Sequence, residues 1–168
     1  MTTFDLRSIH IRGGDQHRAE VSVDLGVFLL GGQAYAPQPD PTPATLAITR
    51  ASSGTVLELD FAVTLDGPCF RCLGDAALTL SLRAREYQAT KPASDDERSE
   101  YMEDDRVDLS AWARDTIALA LPDKILCRDD CAGLCPVCGK DLNVEPHEHA
   151  ETVSDPRWAA LESLREES

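Results

Sequence analysis

Apolar and polar side chains alternate along two stretches in the first half of the chain. Every second residue from Leu57 to Leu65 is apolar, with Glu58 and Asp60 among the residues between them, and a similar alternation runs from Leu78 to Ala84. Successive side chains of a β-strand point to opposite faces of a sheet, so a period of two predicts a strand with one buried face. We therefore predict two long strands in these stretches.

Shorter runs of the same kind predict further strands at Val21–Leu25 and around Leu46 and Ile48. Residues 52–54, Ser-Ser-Gly, supply a turn between the strand containing Leu46 and the one that follows it. Residues 37–43 contain four prolines, which cannot donate to a strand ladder, and are expected to form a loop. The pattern favours an antiparallel meander of at least three strands.

The second half of the chain has a different pattern. Residues 88–108 carry many acidic and few apolar side chains, which is typical of a solvated linker or loop; an acidic docking segment is the alternative. Asp108 or Ser110 can cap a helix that ends at Pro122. Its apolar side comprises Leu109, Trp112, Ala113, Thr116, Ile117 and Ala120. A second helix is expected from Asp155-Pro156, with Trp158, Leu161 and Leu164 as its buried stripe.

These elements predict an α+β fold: an antiparallel β meander or partly open barrel with C-terminal helices and a zinc-binding segment. We expect a β-rich domain over residues 1–88 and an acidic linker or loop over residues 89–108. A helix, a zinc-knuckle segment and a C-terminal helix would follow over residues 109–168 and pack on the sheet. A chain of 168 residues is long enough for one ordinary domain of this kind.

Charge and compartment limit the classes of partner. The formal net charge is -14, so the surface repels phosphate backbones and attracts basic proteins, although charge also serves solubility. The segment Met1–Arg12 lacks the basic start and apolar run of a signal peptide, and no stretch has the length of a membrane span. We therefore expect a cytoplasmic protein without membrane association. Cytosolic thiols stay reduced, so paired cysteines there indicate metal or redox chemistry.

The candidate chemistry lies in four pairs of soft metal donors. The pairs are Cys69 with Cys72, Cys127 with Cys131, Cys135 with Cys138, and His147 with His149. Eight such donors are what two tetrahedral zinc sites require, so we predict two zinc ions and at least one. In each Cys-x-x-Cys turn, proline and glycine permit the tight backbone that aims two thiolates at one ion.

Spacing alone leaves three arrangements of these donors open. In the first, Cys135 and Cys138 join His147 and His149 in a compact site, and the other four cysteines bind a second ion. In the second, the four cysteines of residues 127–138 bind one ion and leave Cys69 and Cys72 as a free dithiol. In the third, the two Cys-x-x-Cys turns form one zinc ribbon. His147 and His149 can also be read as an exposed polar tail among glutamates.

Complete sets of four donors leave no open coordination position, so these sites are predicted to be structural and not catalytic. The chain also lacks a phosphate-binding glycine-rich loop and a serine nucleophile elbow. We therefore expect a protein that is not an enzyme. A redox-sensing zinc-thiolate protein or chaperone is the alternative, because clustered thiolates can oxidise and release metal. A further alternative is a structural interaction module, in which the zinc ions take the place of a hydrophobic core.

Several segments in succession resemble the YceD-like family, named for a large-subunit ribosomal RNA accumulation protein. They are Cys69-Phe-Arg-Cys72-Leu73, Val107-Asp-Leu-Ser, the helix end Ala118-Leu-Ala-Leu-Pro122, the cysteine-rich stretch Leu126–Asn143, and Asp155-Pro-Arg-Trp-Ala-Ala-Leu-Glu-Ser-Leu164. In many relatives a Cys-x-Cys follows the Leu-Asn element, and here His147 and His149 stand in its place. The resemblance thus favours the first arrangement. Some relatives keep only the first Cys-x-x-Cys and a later donor pair, which fits an independent site of Cys69, Cys72, Cys127 and Cys131.

The resemblance implies a cytosolic, non-enzymatic factor that supports accumulation or processing of the 23S rRNA precursor and assembly of the large ribosomal subunit. Clamping bare RNA would need a basic patch, and the cations of this chain are scattered. Lys124, Arg128 and Lys140 neighbour the cysteine-rich segment and are candidates for local RNA contact. We expect the acidic body to bind a basic ribosomal protein or assembly factor, with the rRNA precursor affected through that partner.

Overall fold

The computed structural model describes residues 1–149, which contain nine strands and one α-helix. The strands are β1 (Thr3–Asp5), β2 (Gln16–Val23), β3 (Phe28–Leu30), β4 (Gln33–Gln38), β5 (Thr42–Arg50), β6 (Gly54–Pro68), β7 (Asp75–Ala89), β8 (Met102–Glu103) and β9 (Arg106–Asp108). The helix α1 spans Leu109–Ala120, and short 3-10 helices span Leu6–Ser8 and Asp95–Glu97. The second helix, expected from Asp155, lies outside the described residues.

The long hairpin of β6 and β7 organises the main sheet. These two strands pair antiparallel from Gly54 opposite Ala89 to Pro68 opposite Asp75. Because β7 follows β6 along its whole length, the other edge of β6 is shared in succession by β5 and β4. β2 pairs with β5 and β3 with β4, while β1, β9 and β8 form a separate sheet of three strands. The hairpin therefore projects its turn, residues 69–74, from one end of the sheet.

The predicted alternation in β6 is confirmed, because every second side chain from Leu57 to Leu65 is buried in the core. Val23, Leu25, Leu46 and Ile48 are buried with them. The corresponding leucines of β7, from Leu78 to Leu82, are only half-buried against the same core. Among the described strands β7 pairs with β6 alone, so this strand stands at an edge of the sheet and its inner face is partly covered.

The helix prediction is confirmed, with one difference at its end. The Asp108 carboxylate accepts a hydrogen bond from the Ala111 amide and caps α1. Trp112 and Ile117 lie in the core, whereas Ala120, expected on the apolar side, is exposed in the last turn. The Trp112 ring stacks on Tyr101 at 6.2 Å between centroids, so the tryptophan is a core residue.

Two predictions about loops require correction. Pro37 and Pro43 lie inside β4 and β5, opposite Leu65 and Ser22. Among the described strands, each of these prolines has a paired neighbour on one side only. A proline without an N–H is tolerated at such an edge position. The acidic stretch over residues 89–108, expected to be a linker or loop, contains a 3-10 helix, β8 and β9, and Val107 is buried where β9 pairs with β1.

The fold-class prediction is confirmed in its main part: the described chain is mostly antiparallel sheet, followed by one helix. The described strands do not close on themselves, because β2, β3 and β7 end the pairing, so they form no closed barrel. The division into domains stays a prediction. No helix within residues 1–149 is long and apolar enough to cross a membrane.

Candidate metal centres

The turn of the β6–β7 hairpin meets the segment after α1 in a group of four cysteines, here called cluster 1: Cys69, Cys72, Cys127 and Cys131. The sulfurs of Cys69 and Cys131 are 3.8 Å apart, and those of Cys72 and Cys127 are 3.7 Å apart. Two thiolates on one tetrahedral zinc, each at about 2.3 Å, lie roughly 3.8 Å from each other. The spacing of cluster 1 therefore fits a tetrahedral metal site.

The first two of these cysteines belong to a knuckle, residues 69–74, held by its own backbone. The Cys69 amide donates to the Gly74 carbonyl at 2.6 Å, and the Leu73 amide donates to the Cys69 carbonyl at 3.0 Å. The Arg71 amide also lies 3.4 Å from the Cys69 sulfur and donates to it. This closed turn fixes where both thiols point before any ion is bound.

A second knuckle, residues 135–140, repeats the same bonds. The Cys135 amide donates to the Lys140 carbonyl and the Gly139 amide donates to the Cys135 carbonyl, each at 2.8 Å. In both knuckles the residue after the second cysteine has a left-handed backbone, with φ of 73° at Gly139 and 62° at Leu73. Glycine adopts this conformation freely, whereas another L-residue pays about 1–2 kcal/mol, so the first knuckle is the strained one.

The first knuckle is joined to the later segment by backbone bonds as well as by cysteines. The Phe70 amide donates to the Ile125 carbonyl at 2.8 Å, and the Leu134 amide donates to the Arg71 carbonyl at 3.2 Å. The Arg71 guanidinium donates to the Cys131 carbonyl at 2.7 Å. A Cβ placed on Gly133, whose φ is 79°, would stand 3.2 Å from the Arg71 backbone, so only glycine fits this junction comfortably.

Asn143 follows the second knuckle in sequence, and its side chain reaches back to the cluster 1 segment. Its side-chain oxygen accepts from the Ala132 amide at 2.7 Å and from the Arg128 guanidinium at 2.8 Å. Its amide nitrogen donates toward the Cys131 sulfur at 3.5 Å. Bonds of this kind orient a ligand from outside the coordination shell. Sequence reasoning did not single out Asn143, Gly133 or Arg71, because each acts through neighbours that only the fold brings close.

A second group of donors, here called cluster 2, comprises Cys135, Cys138, His147 and His149. The Cys138 sulfur lies 3.1 Å from Nε2 of His147, and the two imidazole rings meet edge to face at 4.9 Å between centroids. Nδ1 of His147 lies 2.7 Å from the Glu145 carbonyl. A carbonyl only accepts, so Nδ1 carries a proton, and in the neutral ring Nε2 then has a free lone pair for a metal.

The two clusters differ in burial. In cluster 1, Cys69 and Cys131 have 0% and 1% of their surface exposed, while Cys72 is half-buried and Cys127 is exposed. In cluster 2, only Cys135 is buried, while Cys138 and His149 are exposed. An ion in cluster 2 would therefore lie closer to solvent than an ion in cluster 1.

The thiols of cluster 1 have unequal acidities. Burial opposes ionisation of Cys69, but the amides of Cys72, Cys127 and Arg71 outweigh it and lower the pKa of Cys69 to about 6. Burial, together with the neighbouring thiols, raises the pKa of Cys127 to about 12. One thiol of the packed group thus ionises easily, whereas ionisation of a further thiol is opposed. A bound divalent cation would remove this opposition by neutralising the repulsion between thiolates.

In cluster 2 the amide of Cys138 lowers the pKa of Cys135 to about 6, against the opposing effect of burial. The pKa of His147 is raised, first by its bond to the Glu145 carbonyl and then by Cys135. A thiolate therefore stands ready beside an imidazole, which is the donor chemistry of a mixed cysteine-histidine metal site.

The structure brings together the residues of the first arrangement. Within each cluster the donor atoms all lie within 4.8 Å of one another, so both groups can hold a metal ion. Neither the ribbon of two Cys-x-x-Cys turns nor the local set of four cysteines over residues 127–138 corresponds to these groups. The roles of the eight residues as ligands stay a prediction.

The fold and these clusters define a small antiparallel-sheet protein with two potential metal centres. A family model described as "Large ribosomal RNA subunit accumulation protein YceD" matches residues 57–165. The chain belongs to the YceD family. The match begins at β6 and covers both clusters, so the family signature and the candidate metal centres occupy the same part of the chain.

Relatives occur in distant bacteria. An uncharacterized protein of Mycobacterium tuberculosis is 36% identical over 121 residues, covering 69% of this chain and 58% of the relative. An uncharacterized Mycobacterium leprae protein is 38% identical over 101 residues, covering 57% and 46%. Uncharacterized protein YlbN of Bacillus subtilis is 31% identical over 115 residues, covering 64% and 66%. The chain thus spans less than two thirds of these relatives, and no solved structure matches it.

Proposed function

We propose that this chain is a non-enzymatic, zinc-binding factor that supports 23S rRNA accumulation and processing and assembly of the large ribosomal subunit. Membership of the YceD family, whose description is ribosomal RNA accumulation, supports this role. The observation that carries the proposal is that the family match spans both clusters, so the part of the chain that resembles the family includes the hairpin turn and the segment that cluster 1 joins to it.

Zinc is the metal we propose for both clusters. Cluster 1 would supply four thiolates, and cluster 2 would supply two thiolates and two imidazoles. Both sets are those of tetrahedral structural zinc, and the sulfur spacing of cluster 1 agrees with it. When bound, zinc supplies a fixed crosslink among its ligands. Four protein donors leave no position for a substrate, which supports a role without catalysis.

The proposed partner is a basic ribosomal protein or assembly factor in the cytoplasm, through which the rRNA precursor is affected. The net charge of -14 supports a basic protein over bare RNA. Two cations beside the clusters are already engaged: Arg128 pairs with Asp130 at 3.2 Å, and Lys140 pairs with Glu145 at 2.9 Å. Each of these two cations is therefore partly neutralised by its own neighbour.

The test of this function is a deletion strain in which mature 23S rRNA and its precursor are quantified. We expect a deficit of 23S rRNA, rescue by the wild-type chain, and no rescue by a Cys69→Ser, Cys131→Ser variant. Val144→Ala is the control, because Val144 is 81% exposed and lies in sequence between the cluster 2 residues Cys138 and His147 without being a metal donor. Unchanged 23S rRNA in the deletion strain would contradict the proposal.

A redox-sensing zinc-thiolate protein or chaperone is the second candidate, and one observation favours it. In cluster 2 the pKa of Cys135 is lowered to about 6, and although Cys135 is buried it lies beside the exposed Cys138, which could pair with it in a disulfide on oxidation. Mild peroxide should then release zinc reversibly and expose apolar surface. Unchanged metal content under peroxide would exclude this function.

A further inference from the structure

The first knuckle presents two large apolar side chains to solvent at the end of the hairpin. Phe70 is 52% exposed and Leu73 is 56% exposed. We call this pair the knuckle tip. The Lys124 ammonium lies 5.2 Å from the Phe70 ring centroid and covers part of one face of the ring. An exposed aromatic and an exposed aliphatic residue on a rigid turn form the kind of anchor that fills a pocket in a partner.

The backbone of Leu73 gives an independent reason to assign a function to the knuckle tip. Leu73 and Gly139 occupy equivalent places in two knuckles that make the same backbone bonds. The second knuckle has glycine there, where the left-handed backbone is free of strain, and the first has leucine with a φ of 62°. The leucine side chain regains little by burial, because more than half of it is exposed. Strain that the fold does not require points to a use outside the fold.

The charges around the knuckle tip determine which partner it fits. Exposed aspartates flank the knuckle and the cluster 1 segment in sequence: Asp75 directly follows the knuckle, Asp123 precedes Lys124, and Asp129 and Asp130 precede Cys131. Of the nearby cations, Arg71 donates to the Cys131 carbonyl, Arg128 pairs with Asp130, and Lys124 lies over the Phe70 ring, so four exposed aspartates stand against one cation without a carboxylate partner among the described ion pairs. Four thiolates around a divalent zinc would add a net charge of about -2 beneath the tip. An apolar anchor within acidic surroundings is complementary to an apolar pocket with a basic rim, and it repels phosphates.

We propose that the knuckle tip, Phe70 and Leu73, inserts into an apolar pocket on a basic protein and is the main anchor of this chain on its partner. The inference rests on the proposed function, since it names the surface through which a basic ribosomal partner is bound. It differs from a metal role, because neither Phe70 nor Leu73 supplies a metal ligand. The zinc crosslink would hold the knuckle tip rigid, which reduces the entropy lost on binding.

The test places a photoreactive p-benzoylphenylalanine at position 70 of the full chain. Two probes are offered separately: the protein fraction extracted from large ribosomal subunits, and protein-free 23S rRNA. We expect a crosslink to one or a few basic proteins at apolar residues, and none to the RNA. The same residue placed at position 137, the exposed tip of the second knuckle, is the matched control and should crosslink at least tenfold less.

Two substitutions separate the side chain of Leu73 from the fold. Leu73→Gly removes the strain and Leu73→Asn tolerates it, and both remove the apolar contact. Each variant should keep the zinc content and a Tm equal to or above that of its Leu73 parent, and each should lower the crosslink yield from position 70 at least tenfold. A crosslink to RNA, no crosslink to protein, or an undiminished yield in both variants would overturn the proposal.

The failure of this inference is distinguishable from the failure of the proposed function. If deletion of the gene lowers 23S rRNA and Leu73→Asn restores it fully, the ribosomal role stands and the knuckle tip is not the anchor. If deletion leaves 23S rRNA unchanged while position 70 still crosslinks to a basic protein, the anchor stands and the ribosomal role fails.

Discussion

Cluster 1 and cluster 2 contain similar donors and similar knuckles but differ in what they connect. The bonds of cluster 1 cross 62 residues between Cys69 and Cys131, joining the hairpin turn to the segment after α1. Cluster 2 lies within residues 135–149 and closes that segment on itself. Because closing a long loop removes more conformational freedom from the unfolded chain, cluster 1 should contribute more to the stability of the fold.

Cluster 1 also has more supporting bonds around it than cluster 2. Cluster 1 is supported by the Ile125–Phe70 and Leu134–Arg71 backbone bonds and by the Arg71 guanidinium, and two of its cysteines are fully buried. Cluster 2 has an outer bond at His147, while Cys138 and His149 face solvent. The same four-donor chemistry thus serves as a tertiary crosslink in one place and as a local staple in the other.

The largest expected effect is the loss of a cluster 1 ligand. Cys131→Ser should lower the free energy of unfolding by at least about 3 kcal/mol, because structural zinc contributes its binding free energy to folding. Cys138→Ser should lower it by less than half of that amount, since its cluster organises only a local segment. Thermal and urea unfolding measure both values. An equal loss of unfolding free energy in the two variants would contradict the view that cluster 1 stabilises the fold more than cluster 2.

The next effect tests the junction that carries cluster 1. Gly133→Ala should cost about 2–3 kcal/mol, because a left-handed backbone and a tight contact with Arg71 combine. Gly139→Ala is the matched control: its φ is 73°, but a Cβ there meets nothing within 4 Å, so only the backbone cost of about 1–2 kcal/mol remains. Urea unfolding compares them. A larger loss at Gly139 would show that packing at the junction is unimportant.

A smaller effect is expected at Asn143. Asn143→Ala removes the acceptor of the Ala132 amide and the donor to the Cys131 sulfur, which should cost about 1–2 kcal/mol. It should also speed the transfer of zinc from cluster 1 to a chelator while leaving cluster 2 unchanged. Lys140→Ala, which breaks an exposed ion pair near cluster 2, should cost about 1 kcal/mol or less. The rate of zinc transfer to a colorimetric chelator measures this effect. Equal transfer rates in the Asn143→Ala and Lys140→Ala variants would contradict the role of Asn143.

The sequence predicted those parts of the fold that depend on local patterning. The period of two in β6 has one buried face to specify it, and Asp108 caps a helix whose apolar side is visible in the sequence. The strand β4, which contains Pro37, and the start of β5 at Pro43 were missed, because a proline is tolerated in a strand only where pairing on one side is absent. That condition depends on neighbouring strands, which local patterning does not reveal.

The candidate site could be predicted as a set of donors but not as two assembled clusters. Spacing identifies Cys69 with Cys72 and Cys135 with Cys138 as pairs, but it does not say which pairs come together in the fold. That meeting depends on Gly133 passing over Arg71 and on Asn143 bridging two segments. A glycine and an asparagine are common in loops, so neither carries a signal until its neighbours in space are known.

Native mass spectrometry of two double variants tests the partition of the ligands most directly. If the two clusters bind zinc independently, Cys69→Ser combined with Cys131→Ser damages cluster 1 alone and should leave one zinc per chain. Cys69→Ser with Cys138→Ser damages both sites and should leave none. Loss of all zinc from the first variant, or retention of one zinc by the second, would contradict the account of two separate metal centres.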